Sequence, residues 1–490
     1  MNMQTRQAKA VSASAGMGDA PLAVDLDGTL VATDTLHEGY VAAFRRAPLR
    51  SALLLRSLRG GKARFKRHVA GASDFDPATL PYNEPLLAFL KQQKLNGRRI
   101  GLFTAADQSI AEAVADHVGM FDVVRGSDGV ENLAGASKLD AIREAFGSRF
   151  SYAGDGPTDR VIFEAAESLV LAGRAANPNR FVPQGKQVEA RFHAPPRSAW
   201  TWARALRLEH WAKNVLVFVA PVLAHQIVSP EAIGHALLLF VLMGVLASAT
   251  YIINDLFDLA ADRRHPRKRY RSFASGKLSV HHGGIVAIGL IAAVFVLSFR
   301  LLPGGCIIAL LGYLVITLAY SFALKRMPIV DVIVLAGLFT LRIVAGSFLV
   351  VDRVSPWLLT FSMLFFLGLA VVKRYAELER GVRIGGEEFG SRGYTAKDLP
   401  LLLATGVGSG LGAIIIFTIY LINEQYPREV YGYPQVLWAM MPILLLWTLR
   451  VWHLAVHGRM NEDPVVFALK DRVSLGLAAL VAFVLIGAWW

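Results

Sequence analysis

The chain has 490 residues, 54% of them hydrophobic and 18% charged, with a formal net charge of +13 at pH 7. That balance is too apolar for an ordinary soluble protein of this size and excludes a disordered or fibrous chain. The basic excess points to nucleic acid, an anionic lipid surface or a phosphorylated substrate, and the apolar excess favours the last two. The single cysteine, Cys306, excludes an intrachain disulfide and a cysteine metal site. Residues 1–19 are expected to form a disordered tail, and the first apolar stretch, Pro21 to Val24, is too short for a signal peptide, which places the N-terminus in the cytosol.

Up to about Arg191 no apolar run approaches the roughly 18 to 20 residues that cross a bilayer. The run from Leu22 to Leu30 is a buried strand ending in Asp25, Asp27 and a glycine turn, and acids two apart on a strand face the same side. Residues 33–95 are basic and mostly helical, with Arg45, Arg46, Arg64, Lys66 and Arg67 read as a solvated face. Ile100 to Thr104 is a strand ending in a hydroxyl, Lys138 lies on a helix, and Tyr152 to Asp159 is a strand ending in a glycine turn with two acids. Strands alternating with helices, with polar residues at the strand ends, predict an open parallel α/β sheet whose site lies along that edge.

A carboxylate that attacks phosphorus needs Mg²⁺ against charge repulsion, a cation and a hydroxyl for the transferring oxygens, and an acid for the leaving group. Asp25 fits the nucleophile and Asp27 the general acid and base; Thr104 and Lys138 fit phosphate ligands, and Asp155 with Asp159 joins Asp25 around Mg²⁺. The set resembles the haloacid dehalogenase (HAD) superfamily, whose Asp-x-Asp-Gly-Thr, strand-end Thr, Lys and Gly-Asp-x-x-x-Asp motifs occur here in order. The resemblance covers residues 20–175 and implies a Rossmann-like phosphatase domain with a helical cap over about 33–95.

Residues 176–198, with Asn-Pro and Pro-Pro pairs, read as a linker, and Ala199 to Asn214 as a helix lying in the membrane interface. Beyond it lies an all-α polytopic membrane domain, 199–490, with nine spans near 214–228, 233–254, 283–299, 304–322, 328–351, 356–372, 400–423, 435–449 and 473–490. The Lys and Arg residues crowd the loops that this count places inside, against Arg300, Arg353 and Arg428 outside. A multi-pass protein of the cytoplasmic membrane follows, with its C-terminus on the outer side.

Asn254, Asp258 and Asp262 are spaced i, i+4, i+8 and stack on one helical face, with Asp255 beside them. Like charges so placed repel, so a cation is expected; oxygen ligands indicate Mg²⁺ carrying a diphosphate, and the basic run after them supplies phosphate donors. This pattern resembles the UbiA superfamily of intramembrane prenyltransferases over about residues 200–490, whose first motif is Asn-x-x-x-Asp-x-x-x-Asp. Members acting on aromatic acceptors have a second Asp-x-x-x-Asp motif, but here Leu335 stands four residues after Asp331, leaving one acid, Lys325 and, further along the same helix, Arg342.

That departure, with Trp211-Ala-Lys213-Asn214, Leu341-Arg342-x-x-Ala345-Gly346 and Lys373-Arg374-x-x-Glu377, is similar to the branch that moves phosphoribose from phosphoribosyl diphosphate to polyprenyl phosphate. Ser272 departs from the branch's usual proline in an Arg-Pro-x-Ala-Ser-Gly string. The resemblance implies that Asn254, Asp255, Asp258 and Asp262 hold Mg²⁺, and that Lys213, Asn214, Lys268, Arg271, Lys325, Asp331, Arg342, Lys373 and Arg374 bind substrate. Tyr375, Arg392 and Tyr394 are candidates to cap the site, and His265 reads as a solvated neighbour.

Two such halves on one membrane face suggest phosphoribosyl transfer followed by removal of the product's 5-phosphate, with polyprenyl phosphate, phosphoribosyl diphosphate and membrane lipids as partners, no nucleic acid, and a homo-oligomer left open. The alternatives are a prenyl transfer to an aromatic acceptor beside an independent phosphatase, a membrane-anchored phosphatase, and an inactive scaffold.

Overall fold

The computed structural model describes residues 20–173, 175–176, 182–194, 198–224, 229–350, 355–383, 393–427, 431–460 and 464–489. The expected tail 1–19, Arg353, Arg392 and Arg428 lie outside the described residues. The chain forms two compact units, the first Met1–Leu206 with Tyr251–Ala287 and the second Arg207–Thr250 with Ile288–Trp490.

In the first unit, strands β1 (Leu22–Val24), β2 (Ile100–Asp107), β3 (Val123–Ser127), β4 (Ser151–Gly154), β5 (Ser168–Gly173) and β6 (Gln187–His193) form one sheet in the order β3-β2-β1-β4-β5-β6. All five pairings are parallel. Period-two alternation builds a core on each face: Leu22, Val24, Ile100, Leu102, Ala153 and Val170 on one side, and Ala23, Phe103, Tyr152, Leu169 and Leu171 on the other. The strand order reverses between β1 and β4, the place where open α/β sheets leave a crevice at their carboxyl ends.

Between β1 and β2 the chain is helical, with α1 (Thr35–Arg46), α2 (Pro48–Leu54), α3 (Lys62–Ala72) and α4 (Glu84–Leu95). The Asp34 carboxylate caps α1 by accepting from the His37 amide at 3.1 Å, and Pro48 ends it by disfavouring helical backbone at Ala47. Helices α5 (Gln108–Val118), α6 (Ala136–Phe146) and α7 (Arg160–Ala165) complete the crossovers.

Part of the expected linker is instead β6, the edge strand beside β5. Val188 packs against one core and Ala190 and Phe192 against the other, across a register shift in the β5–β6 pairing, so no simple period-two signal marks this strand. Arg98 ties this edge to the sheet: it grips Glu189 at 2.7 and 2.9 Å and donates to Ser151 Oγ at 2.6 Å and to Ala20 O at 2.8 Å. The expected interfacial helix is also broken. It runs as α8 (Ala199–Leu206), stops at Arg207 with φ 50°, and restarts as the 3₁₀ run Leu208–Phe218 followed by α9 (Val219–Leu223).

Among the described residues eight helices, rather than the nine expected, are long and apolar enough to cross a membrane. They are α10 (Pro230–Phe257), α12 (Val280–Leu301), α13 (Gly304–Phe322), α14 (Val330–Ser347), α15 (Pro356–Arg383), the segment Ala396–Gln425 containing α16 (Leu399–Tyr420), the segment Pro434–Val456 containing α17 (Met440–Val456), and α19 (Arg472–Trp489). The shorter α11 (Leu259–Arg264) and α18 (Pro464–Lys470) lie between them. Of the expected span 214–228, residues 225–228 lie outside the described residues; Asn214 is buried and accepts from Arg342 Nε at 2.9 Å within the second unit. That unit's core stacks Phe339 on Phe366 at 4.9 Å and Phe365 on Trp447 at 5.6 Å, with Phe361 tilted against Phe417 at 5.4 Å.

Candidate active site

The carboxyl ends of β1, β2 and β4 bring the first unit's chemistry together. Asp25 follows β1 directly, and its amide donates to Ala153 O at 3.0 Å on β4. Lys138, on α6 and 3% exposed, reaches Asp25 Oδ1 at 2.9 Å and Asp159 Oδ1 at 3.5 Å. The Tyr152 hydroxyl donates to Asp159 Oδ1 at 3.0 Å and accepts from Lys138 at 3.2 Å. Asp25 Oδ1 also accepts from the Leu26 amide at 2.8 Å. Asp27 takes the Thr35 amide at 2.8 Å and the Thr35 hydroxyl at 3.3 Å, so the first residue of α1 fixes it. Thr104 is buried on β2, its Oγ1 accepting from the Ala106 amide at 3.0 Å.

Burial sets the proton affinities here. It pushes Asp25 up to about 6 against the pull of the Lys138 ammonium. Burial and the nearby Asp34 carboxylate push Asp27 up to about 8, so this acid carries its proton at neutral pH. Burial alone would lower Lys138, but Asp25 and Asp159 outweigh it and hold the ammonium above its usual range.

One oxygen each from Asp25, Asp155 and Asp159 lies within 4.8 Å of the others, the only such group among the described residues. Asp159 Oδ2 is buried without a hydrogen-bond partner. Three carboxylates with one oxygen left over suit a hard divalent cation such as Mg²⁺. Gly28 keeps them close: its φ is +76°, and a Cβ there would stand 2.4 Å from Asp155 Oδ2. A cavity of about 960 Å³ opens onto the set and is lined by Asp25, Asp27, Thr104, Lys138, Asp155 and Asp159 together. Sequence reasoning missed Tyr152, which directly precedes the Ala-Gly-Asp turn, and the Thr35 amide, which no side-chain motif reveals.

The acidic stack also lies in the first unit. Asp258 N–H donates to Asn254 O at 2.9 Å and Asp262 N–H to Asp258 O at 2.7 Å, so the helical stacking persists although α10 ends at Phe257. Arg271, expected to bind phosphate, pairs with two acids of the stack, at 2.6 Å from Asp262 and 3.3 Å from Asp255. Lys268 is exposed, and His265 is an exposed turn residue accepting from the Arg267 amide at 3.1 Å.

In the second unit, two arginines expected to bind phosphate are engaged by the protein. Arg342 donates to Asn214, to Leu338 O at 2.5 Å and to the Tyr313 hydroxyl at 3.1 Å. Arg374 donates to Asp331 at 2.5 Å, Glu377 at 2.6 Å and the Tyr320 hydroxyl at 3.1 Å. Asp331, 0% exposed, also accepts from the Tyr394 hydroxyl at 2.6 Å, so Tyr394 locks this acid. Tyr375 packs on Trp452, Lys213 lies over the Phe339 ring at 5.4 Å, Lys325 sits in a 3₁₀ turn after α13, and Lys373 is half-buried on α15.

The model of the UbiA prenyltransferase family matches residues 215–470, over half of the chain. The chain belongs to the UbiA prenyltransferase family. It is an integral membrane protein and a UbiA-type transferase. It is 38% identical to the uncharacterized protein y4nM of Sinorhizobium fredii over 94% of this chain and 90% of that protein, so both regions recur together there. It is 32% identical to the nodulation protein NoeC of Azorhizobium caulinodans, over 58% of this chain and 93% of that one. It is 29% identical to the decaprenyl-phosphate phosphoribosyltransferase of Mycobacterium tuberculosis, over 58% of this chain and 92% of that one.

Proposed function

We propose that this UbiA protein transfers 5-phosphoribose from phosphoribosyl diphosphate to polyprenyl phosphate, and that its N-terminal domain, a HAD-type phosphatase, removes the 5-phosphate of the product. The likeness to decaprenyl-phosphate phosphoribosyltransferases supports the first step, as does Asp331, whose two oxygens are engaged by Arg374 and Tyr394. An acid so held is a poor second clamp for a metal-bound prenyl diphosphate. In the transfer, a lipid phosphate oxygen bonds to the anomeric carbon as the carbon–oxygen bond to diphosphate breaks. Asn254, Asp255, Asp258 and Asp262 would hold Mg²⁺, which supplies charge neutralisation to the leaving diphosphate.

The observation that carries the second step is the Asp25, Lys138, Asp155 and Asp159 assembly opening onto one cavity. Lys138 and the Leu26 amide hold Asp25 Oδ1, and no hydrogen bond from the described residues reaches Oδ2, the nucleophile. Its attack on phosphorus breaks the bond to the sugar O5, which takes the Asp27 proton; water, losing a proton to Asp27, then cleaves the aspartyl phosphate. Thr104 and Lys138 steady the transferring oxygens. Asp25, Asp155 and Asp159 would hold Mg²⁺, which lowers the repulsion between carboxylate and phosphate. Mass spectrometry of lipids from cells carrying Asp25→Asn tests the reading: the phosphoribosyl lipid should accumulate with its 5-phosphate, and an unchanged lipid pattern would refute it.

A further inference from the structure

The phosphatase cavity is lined by more than the motif residues. Ser275, Gly276, Lys277 and Ser279 also line it, from the loop that follows the acidic stack within the same compact unit. That loop is firmly held. Gly276 has φ +70°, and a Cβ there would stand 2.7 Å from Ala32 O, just after the Asp25 motif. Arg263 donates to Ala274 O at 2.8 Å while gripping Glu38 of α1 at 2.6 and 2.7 Å. Ser272 Oγ donates to Thr201 O at 3.1 Å.

The cavity's cations are unequally engaged. Lys138 is taken up by Asp25 and Asp159, Lys66 by Ala105 O at 2.5 Å and Asn132 Oδ1 at 2.6 Å, and Lys62, which also lines the cavity, is exposed to solvent. The half-buried Lys277 ammonium has no hydrogen-bond or ion-pair partner among the described residues. A cavity of about 960 Å³ is also far larger than one phosphate requires. We propose that Lys277 forms a second anion subsite, which binds the distal phosphate of a substrate whose monoester sits on Asp25. The favoured substrate class is a pentose carrying two phosphate groups, a monoester at one end and a second phosphate or phosphodiester at the other. This rests on the phosphatase reading and adds a specificity residue to it.

The test uses the full-length protein with ribose 1,5-bisphosphate and ribose 5-phosphate as probes. The wild type should show a KM for the bisphosphate about tenfold below that for the monophosphate, as one charge-assisted contact gives. Lys277→Gln should bring that ratio close to unity, and Lys277→Arg should preserve it. A ratio that survives Lys277→Gln, or a wild type without preference, overturns the subsite while leaving the phosphatase intact. Turnover of neither compound, equally in wild type and Asp25→Asn, overturns the phosphatase reading itself. Binding gives a readout apart from turnover: in an Asp25→Asn background, Lys277→Gln should weaken ribose 1,5-bisphosphate about tenfold, and equal affinity overturns the proposal.

Discussion

Replacing Arg98 with methionine removes the cation that fastens β6 while keeping its aliphatic volume. Arg98 and Glu189 are 2% and 10% exposed along their side chains, so the loss leaves a carboxylate buried without its partner. Burial pushes Glu189 up, but Arg98 and the Ser168 and Ser151 hydroxyls outweigh it and hold the carboxyl below its usual range. In the wild type the stabilisation is therefore complete above the unfolded pKa and fades as pH falls through the lower folded value. Between pH 5 and 7 the wild type is flat with respect to this group.

In Arg98→Met the cheapest relief is for Glu189 to take a proton. From an ordinary glutamate pKa near 4.3, that costs about 3.7 kcal/mol at pH 7 and about 1 kcal/mol at pH 5. The lost hydrogen bonds to Ser151 and Ala20 add roughly 1 kcal/mol net. The sum, about 4 to 5 kcal/mol at pH 7, agrees with the usual 3 to 5 kcal/mol for breaking a buried pair. Hydrogen exchange of the β5 and β6 amides in detergent reads this directly. Protection should fall about a thousandfold at pH 7 and about thirtyfold at pH 5, each decade being about 1.4 kcal/mol. An equal fall at both pH values, or less than about tenfold at pH 7, would refute the reasoning.

Removing the proposed nucleophile with Asp25→Asn should lower phosphatase turnover by at least about a thousandfold while leaving transfer of labelled ribose to lipid intact, checked in parallel assays. Gly28→Ala should abolish phosphatase turnover and weaken Mg²⁺ binding, because the added methyl meets Asp155 at 2.4 Å on a left-handed backbone; titration calorimetry measures the second effect. Chelating divalent cations should lower the first unit's melting temperature, and added Mg²⁺ should restore it in a concentration-dependent way, since three clustered carboxylates then regain a counter-charge. Glu38→Gln should loosen the 271–279 loop, because it removes the charge facing the nearly buried Arg263; faster exchange at the Ala274 to Lys277 amides would show it.

Much of this arrangement is legible in the amino-acid order, for reasons that differ by segment. Asp25, Lys138, Asp155 and Asp159 are recoverable because each sits where a parallel strand or its crossover helix ends, and short apolar runs mark those ends. Eight spans are recoverable from apolar length alone, which bilayer thickness imposes. The expected span 214–228 shows no such helix among the described residues, where the 3₁₀ run Leu208–Phe218 buries Asn214 against Arg342, a pairing that local sequence does not reveal. β6 was hidden because its partner charge, Arg98, lies 91 residues away. The engaged state of Arg271, Arg342 and Arg374 has the same origin. A cation's identity is local, whereas its partners are set by the fold. Lys277 lies in a basic loop that reads as topological, and only the packing of that loop beside Ala32 sets it against the cavity.

The most direct test of the two-step account is a single incubation of the purified protein with Mg²⁺, polyprenyl phosphate and phosphoribosyl diphosphate labelled separately in the ribose and in the 5-phosphate. The account predicts ribose label in the organic phase with the 5-phosphate label released as inorganic phosphate, both labels retained in lipid by Asp25→Asn, and neither entering lipid with Asp258→Asn. Ribose label absent from the lipid, or 5-phosphate retained equally by wild type and Asp25→Asn, would contradict it.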